Sequence, residues 1–156
     1  MVKFKPDAKL QKRFKDIDFE SLSLVFSACF DTVYKVKKKR NFTIHLKLTA
    51  GEYSYYAFQR GSNVRINISE LVFGDNYFLE ILSHEFRHFI QDKVFKVPFT
   101  KTYYDDSSEE KYLNSPCEID ADDFVLKTSK EVLKIYKKIN KFKKAISAYD
   151  KFKKEN

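Results

Sequence analysis

The sequence predicts an α+β domain. In order, it has an N-terminal helix, a three-stranded antiparallel meander, a central helix, a helix opening on an acidic cluster, and a long basic C-terminal helix. Three observations carry this. Apolar residues recur at three- and four-residue intervals over 8–38, 75–94 and from 116 onward, as on a helix with one buried face. Between 41 and 69 the period changes to two, that of a strand with one face buried. Breaker residues stand at the changes of period, at Gly51, Gly61 and Gly74.

In the first segment Leu10, Phe14 and Ile17 are followed by Leu22, Val25, Phe26, Cys29, Phe30 and Val33, and Asp18 or Ser21 opens a second helical piece. Lys37-Lys38-Lys39-Arg40 suits the negative end of that helix, and as a helix terminus it needs no nucleic-acid partner. Phe42, Ile44, Leu46 and Leu48 then alternate with polar residues, Tyr53–Phe58 follows the Ala50-Gly51 turn, and Val64, Ile66 and Ile68 alternate after Arg60-Gly61-Ser62-Asn63. On this pattern His45 lies on the polar, solvent-facing side and is no ligand. Asp75 caps the next helix, whose stripe is Tyr77, Phe78, Ile81, Leu82, Phe86, Phe89 and Ile90; it ends near Val94, before Pro98. Residues 96–114 read as a long acidic and aromatic loop, the preferred rim of a cleft. Ser115 and Pro116 are the cap and first residue of another helix. We divide the chain into a domain, 1–128, and an amphipathic basic helix, 129–156, packed on it or extending from it.

Composition narrows the classes. A chain of 156 residues can bury a core without disulfides, and three Gly with three Pro argue against a long disordered region. The apolar positions are unusually aromatic, with 16 Phe, 10 Tyr and no Trp. No stretch is long and apolar enough for a membrane span, and Met1–Asp7 lacks a secretory apolar core, so an intracellular location is expected. Cys29 and Cys117 form no disulfide framework; Cys29 is expected in the core and Cys117 in the first turn of its helix. The net charge of +8 is local. Residues 127–156 hold 11 Lys against Glu131, Asp150 and Glu155, whereas the 19 basic and 19 acidic side chains of 1–126 cancel.

The chemistry is concentrated at His84-Glu85-Phe86-Arg87-His88, which holds two of the chain's three histidines. Residues four apart on a helix stand one above the other, so both imidazoles can grip one Zn²⁺. Glu85 is rotated by about 100° from His84, too far round to be a third ligand. It is placed to act as general base on a water held at the metal. A catalytic zinc commonly has three protein ligands. With no histidine after His88, the third should be a carboxylate from Glu118, Asp120 or Asp122. Glu118 is favoured, with Asp122, one turn on, free to accept a hydrogen from a ligating imidazole. Ser115-x-x-Glu118 is also a capping box, in which Glu118 would only bond back to the Ser115 backbone.

With Glu118-Ile119-Asp120-Ala121-Asp122-Asp123-Phe124 some thirty residues beyond the H-E-x-x-H, the sequence resembles the zincin metallopeptidases. Within them it is most similar to the small gluzincin-like enzymes of the ImmA/IrrE type, often found in phages and mobile elements. The likeness spans roughly residues 20–128 and is specific in the two short motifs alone. It departs from the family at Phe86-Arg87, where small uncharged residues are usual, and in the additional C-terminal helix. The SprT-like peptidases, which share the first motif, use a third His that this chain lacks. The resemblance implies a minimal zincin fold, one Zn²⁺ per chain on His84, His88 and Glu118, Glu85 as base, and hydrolysis of a protein or peptide substrate.

Hydrolysis also calls for a donor to the oxyanion besides the metal. Tyr112 is the candidate, followed by Tyr103 and Tyr104, and a substrate backbone could add along the open edge of the meander. From Ser129 the seam Ile135, Ile139, Phe142, Ile146 and Tyr149 implies a helix packed on the domain, with lysines on its other faces. With no Arg there, it allows at most non-specific contact with nucleic acid or an anionic surface. A competing function is therefore a nucleic-acid-associated or scaffold protein with a structural or vestigial zinc site. The sequence leaves oligomeric state and cleavage specificity open.

Overall fold

A computed structural model describes residues 1–33, 41–57, 61–96 and 113–155. Val2-Lys3-Phe4-Lys5 is too short a run to stand out by period, yet it forms strand β1 (Val2–Pro6), burying Val2 and Phe4 and exposing the lysines. Asp7 ends the strand by capping α1 (Ala8–Arg13), its carboxylate accepting the Leu10 N–H at 2.8 Å and the Leu48 N–H at 3.2 Å. Of the two candidates for opening α2 (Phe19–Val33), Asp18 is the cap: its Oδ1 accepts the Glu20 and Ser21 N–H groups at 3.0 and 3.1 Å. The basic run 37–40 and the side chain of Cys29 lie outside the described residues.

The sheet corrects the meander. β2 (Phe42–Thr49) and β4 (Asn63–Ser69) are neighbours and parallel. β3 (Tyr55–Ala57) pairs antiparallel with the outer side of β4, and β1 is parallel to β2, giving the order β1-β2-β4-β3. Period-two alternation reports one buried face and carries no direction, so it cannot tell a meander from this arrangement. Parallel neighbours need a connection of about a dozen residues or more, and 50–62 supplies one that carries β3 on its way. Of the two hairpins the alternation suggests, only β3–β4 forms, entering β4 through Gly61 at φ 79°, which a side chain would resist.

Register aligns Phe4, Ile44 and Val64 in one row, and Leu46 with Ile66 in the next, all buried on the face covered by α2 and by α3 (Asp75–Ile90). The aromatic composition is used here. Phe26 meets Phe4 and Phe86 edge-on at 5.2 and 4.9 Å, and Phe42 meets Phe89 at 5.1 Å. His45 is on the opposite face as the alternation requires, although half-buried rather than exposed, beside Lys5 and Arg65.

Gly74, at φ 78°, takes the cap position of α3, and Asp75 becomes its first helical residue, where its charge still suits the dipole. Phe78, Leu79, Leu82, Phe86, Phe89 and Ile90 form the buried stripe, and Tyr77 leaves it, half-exposed. The α-helix gives way at Gln91 to a π-helical turn, Gln91–Phe95, closed by Lys96 in the left-handed region at φ 56°. Pro98 and residues 97–112 lie outside the described residues.

The last element, α4 (Pro116–Glu155), is one unbroken 40-residue helix, so the acidic helix and the basic C-terminal helix are continuous across 128–129. It packs on α3 through the fully buried Ala121 and Phe124, and against α2 further along. Val132 and Tyr136 belong to the core, and the Tyr136 hydroxyl accepts the Asp18 N–H at 2.8 Å. Among the described residues, no helix is long and apolar enough to cross a membrane.

Candidate metal centre

One turn of α3 sets His84 and His88 over the start of α4. Their Nε2 atoms are 3.1 Å apart, and the Glu118 carboxylate meets both, Oε2 at 3.1 Å from His84 and Oε1 at 3.2 Å from His88. Ser115 caps the helix, its Oγ accepting the Glu118 N–H at 3.4 Å, while the Glu118 side chain is turned to the histidines. Of the three candidate carboxylates, Glu118 thus joins the pair. Asp122 stands behind it, its Oδ1 2.9 Å from His84 Nδ1. Asp120 is directed elsewhere, gripping Arg87 through two contacts of 2.7 and 2.8 Å.

The hydrogen positions follow from the partners. Gln91 donates through Nε2 to the Cys117 carbonyl at 2.9 Å and to Asp120 Oδ2 at 2.7 Å, which leaves its Oε1 facing His88 Nδ1 at 2.9 Å. An amide oxygen only accepts, so His88 carries its hydrogen on Nδ1. His84, opposite the Asp122 carboxylate, does the same. In the neutral imidazoles both Nε2 lone pairs then point at each other and at a carboxylate. Four acceptor sites converge with no hydrogen between them, an arrangement that either a proton or a metal ion would relieve. Burial opposes charge on His84, but the Glu118 contact and the charges of Glu85, Glu118 and Asp122 outweigh it and raise its pKa. A proton can thus occupy the place of the cation.

The donor set fits a metal. Zn²⁺ bonds of about 2.0–2.1 Å in a tetrahedron set neighbouring ligand atoms about 3.3 Å apart. The observed 3.1–3.2 Å spacings are within small side-chain adjustments of that value. His84, His88 and Glu118 are also the described residues whose donor atoms cluster closely enough to hold an ion.

Glu85 lies between α3 and β3, only 4% exposed. It receives the backbone N–H of Tyr56. Its Oε2 is fully buried and has no hydrogen-bond partner among the described residues. Burial pushes the Glu85 pKa up to about 7 against the opposing pull of His88 and His84. A cation at the histidines would draw it down again. Tyr56 also donates its hydroxyl to Asp92 at 2.6 Å, tying the edge strand to the π-helical turn. Burial and that carboxylate push the Tyr56 hydroxyl pKa up.

A cleft of about 700 Å³ opens onto His84, Glu85, Glu118 and Asp122. Its walls include Tyr53, Tyr55, Leu71, Tyr77 and Leu113, each at least 50% exposed, so several of the described apolar side chains left in solvent line this opening. Tyr112, Tyr103 and Tyr104 lie outside the described residues.

Pattern reading did not find Gln91, although a polar residue three positions past a ligand on the same face was a usable signal. The Arg87–Asp120 pair was equally hidden. Arg87 lies 5.3 Å from the Phe95 ring and 5.2 Å from the Phe124 ring, clamping α3 to α4 just behind the candidate ligands. No protein-family model matches the chain, and neither curated proteins nor solved structures give a significant match.

Proposed function

We propose that this protein is a zinc-dependent peptidase of zincin-like arrangement, with His84, His88 and Glu118 as ligands and Glu85 as general base. The observation that carries the proposal is the convergence of the His84 and His88 Nε2 atoms and the Glu118 carboxylate at the floor of an open cleft. Three protein donors beside a cleft leave a position for water and substrate, whereas structural zinc sites are closed by a fourth protein ligand. The buried, unpartnered Oε2 of Glu85 favours the same reading. A structural site has no use for such an atom, but a base that must take and return a proton does.

When bound, Zn²⁺ would acidify a water and polarise the scissile carbonyl. Glu85 removes the proton at Oε2 as the water attacks, then delivers it to the departing amine. The Tyr56 N–H holds the other side of the carboxylate in place. Asp122 and Gln91 keep the imidazole hydrogens on Nδ1, leaving both Nε2 atoms to the metal. The walls of Tyr53, Tyr55, Leu71 and Tyr77 suit a substrate with a bulky apolar side chain beside the scissile bond.

Zinc content and cleavage of a peptide library, compared in wild type and Glu85→Gln, test this. One zinc per chain in both proteins is expected, with cleavage falling by about 10²–10⁴-fold in the variant. Cleavage unchanged in Glu85→Gln would remove the base, and wild type that takes up no zinc would remove the metal.

A further inference from the structure

Seven of the eleven lysines of α4 share one side of the helix. At about 100° per residue, Lys127, Lys130, Lys134, Lys137, Lys138, Lys141 and Lys144 fall within a sector of about 120° and run for about 26 Å along the axis. All seven are exposed. The sector lies opposite Val132, Tyr136 and Ile139, which face the core. Lys127 pairs with Asp123 and Lys134 with Glu131, while Lys130, Lys137, Lys138, Lys141 and Lys144 have no ion-pair partner among the described residues. Lys143 does not belong to this row; it turns back to Asp18 and Glu20 at 3.0 and 3.1 Å, holding the helix to the domain.

We propose that this lysine row binds the phosphate backbone of double-stranded nucleic acid without regard to sequence. A rigid row about 26 Å long spans about seven or eight base-pair steps of a B-form duplex, over which the phosphates of each strand recur about every 3.4 Å of axis. The row holds no Arg, the residue best suited to reading base edges, so it distinguishes charge and shape and not sequence. Among the described residues it shows no aromatic side chain on which unpaired bases could stack, which favours a duplex over a single strand. A membrane surface fits less well. A helix lying in a bilayer interface inserts its apolar face, and here Val132 and Tyr136 on that face are buried in the domain. The proposal stands whether or not the chain hydrolyses peptides.

The test is fluorescence anisotropy of a labelled 24-base-pair duplex with the full chain from 50 to 200 mM KCl, beside phosphatidylserine vesicles in the same buffers. Two duplexes of unrelated sequence should bind equally, with affinity falling steeply with salt. Lys130→Gln/Lys134→Gln/Lys137→Gln/Lys141→Gln should weaken binding at least tenfold and flatten the log–log salt slope by about 3.6 units, near 0.9 per lost phosphate contact. Lys127→Gln/Lys138→Gln/Lys144→Gln, on the same row, should weaken it in the same direction. Lys3→Gln/Lys5→Gln/Lys9→Gln/Lys12→Gln, which removes as much charge elsewhere, should change the affinity less than threefold. Equal losses from the row and the control would mean net charge alone and would overturn the proposal. So would affinity unchanged in both row variants, or vesicle binding with no duplex binding at 50 mM KCl.

Discussion

Gln91 Oε1 accepts the Nδ1 hydrogen of His88 at 2.9 Å, and the Gln91 amide nitrogen binds the Cys117 carbonyl and Asp120. One amide therefore sets the tautomer of His88 on α3 and holds the first turn of α4, which presents Glu118. Gln91→Leu keeps the volume and removes both functions. Its zinc affinity, read by competition with a chromogenic chelator, should fall by about 10–100-fold. An affinity equal to wild type, in a variant with an unchanged circular dichroism spectrum, would mean that His88 needs no such support.

The three acidic residues at the start of α4 have separable roles. Glu118→Ala should abolish stoichiometric zinc by elemental analysis, and Asp122→Ala should weaken binding by about tenfold or more through loss of the His84 partner. Asp120→Ala should retain one zinc per chain. Its effect is on stability, because Arg87 is largely buried and loses a two-pronged partner. With Asp120 itself 43% exposed, the loss should be about 1 kcal/mol. Zinc lost from Asp120→Ala and retained in Glu118→Ala would reverse these assignments.

Asp18 links acid stability to the C-terminal helix. Burial opposes its ionisation, but hydrogen bonds from Ser21 and Lys143 prevail and lower its pKa from 3.8 to about 2. A carboxyl whose folded pKa is depressed stabilises the fold fully above its unfolded pKa, and the contribution is lost as pH falls through the folded value. Asp18→Asn keeps a helix cap and removes the charge. By urea denaturation, wild type should exceed the variant by on the order of 1 kcal/mol at pH 6 after allowance for solvent screening, and the gap should close between pH 4 and 2. A gap that persists at pH 2 would refute the role of the charge.

The far part of α4 contributes to the core, so the domain should not withstand its removal. Val132→Ala should cost about 2 kcal/mol through the cavity it leaves, and Tyr136→Phe about 1 kcal/mol through loss of the acceptor for the Asp18 N–H. A chain ending at residue 128 loses both and the Lys143 contacts, at least about 4 kcal/mol together, a large part of a typical domain's stability. Thermal unfolding of the shortened chain at the wild-type midpoint would contradict the packing described for this helix.

The site was more legible in the sequence than the sheet. H-E-x-x-H fixes the two imidazoles through one helical turn and Ser115-Pro116 announces the helix that brings Glu118, but only the packing of α4 on α3 separates Glu118 from Asp120 and Asp122. Strand direction is different: Ile44 and Ile66 alternate with polar neighbours in the same way whether their strands run parallel or antiparallel. β1 was hidden by length, since Val2 and Phe4 are too few to establish a period. The Arg87–Asp120 pair depends on how α3 meets α4, a tertiary relationship that no local pattern encodes, whereas Gln91 was marked only by its spacing from His88. The continuity of α4 is a milder case. The segments before and after Ser129 have different surface composition, and the change in charge resembles a boundary although the backbone passes through it without a break.

Because α4 is unbroken, Glu118 and Tyr136 are fixed points about 27 Å apart on a single stiff rod. If the site takes up a metal as proposed, any coupling of ion capture at one end to the Asp18 latch at the other acts equally in both directions. Stripping the ion with a chelator should therefore speed deuterium uptake at the Asp18 amide, and cutting that latch should loosen the grip on the ion.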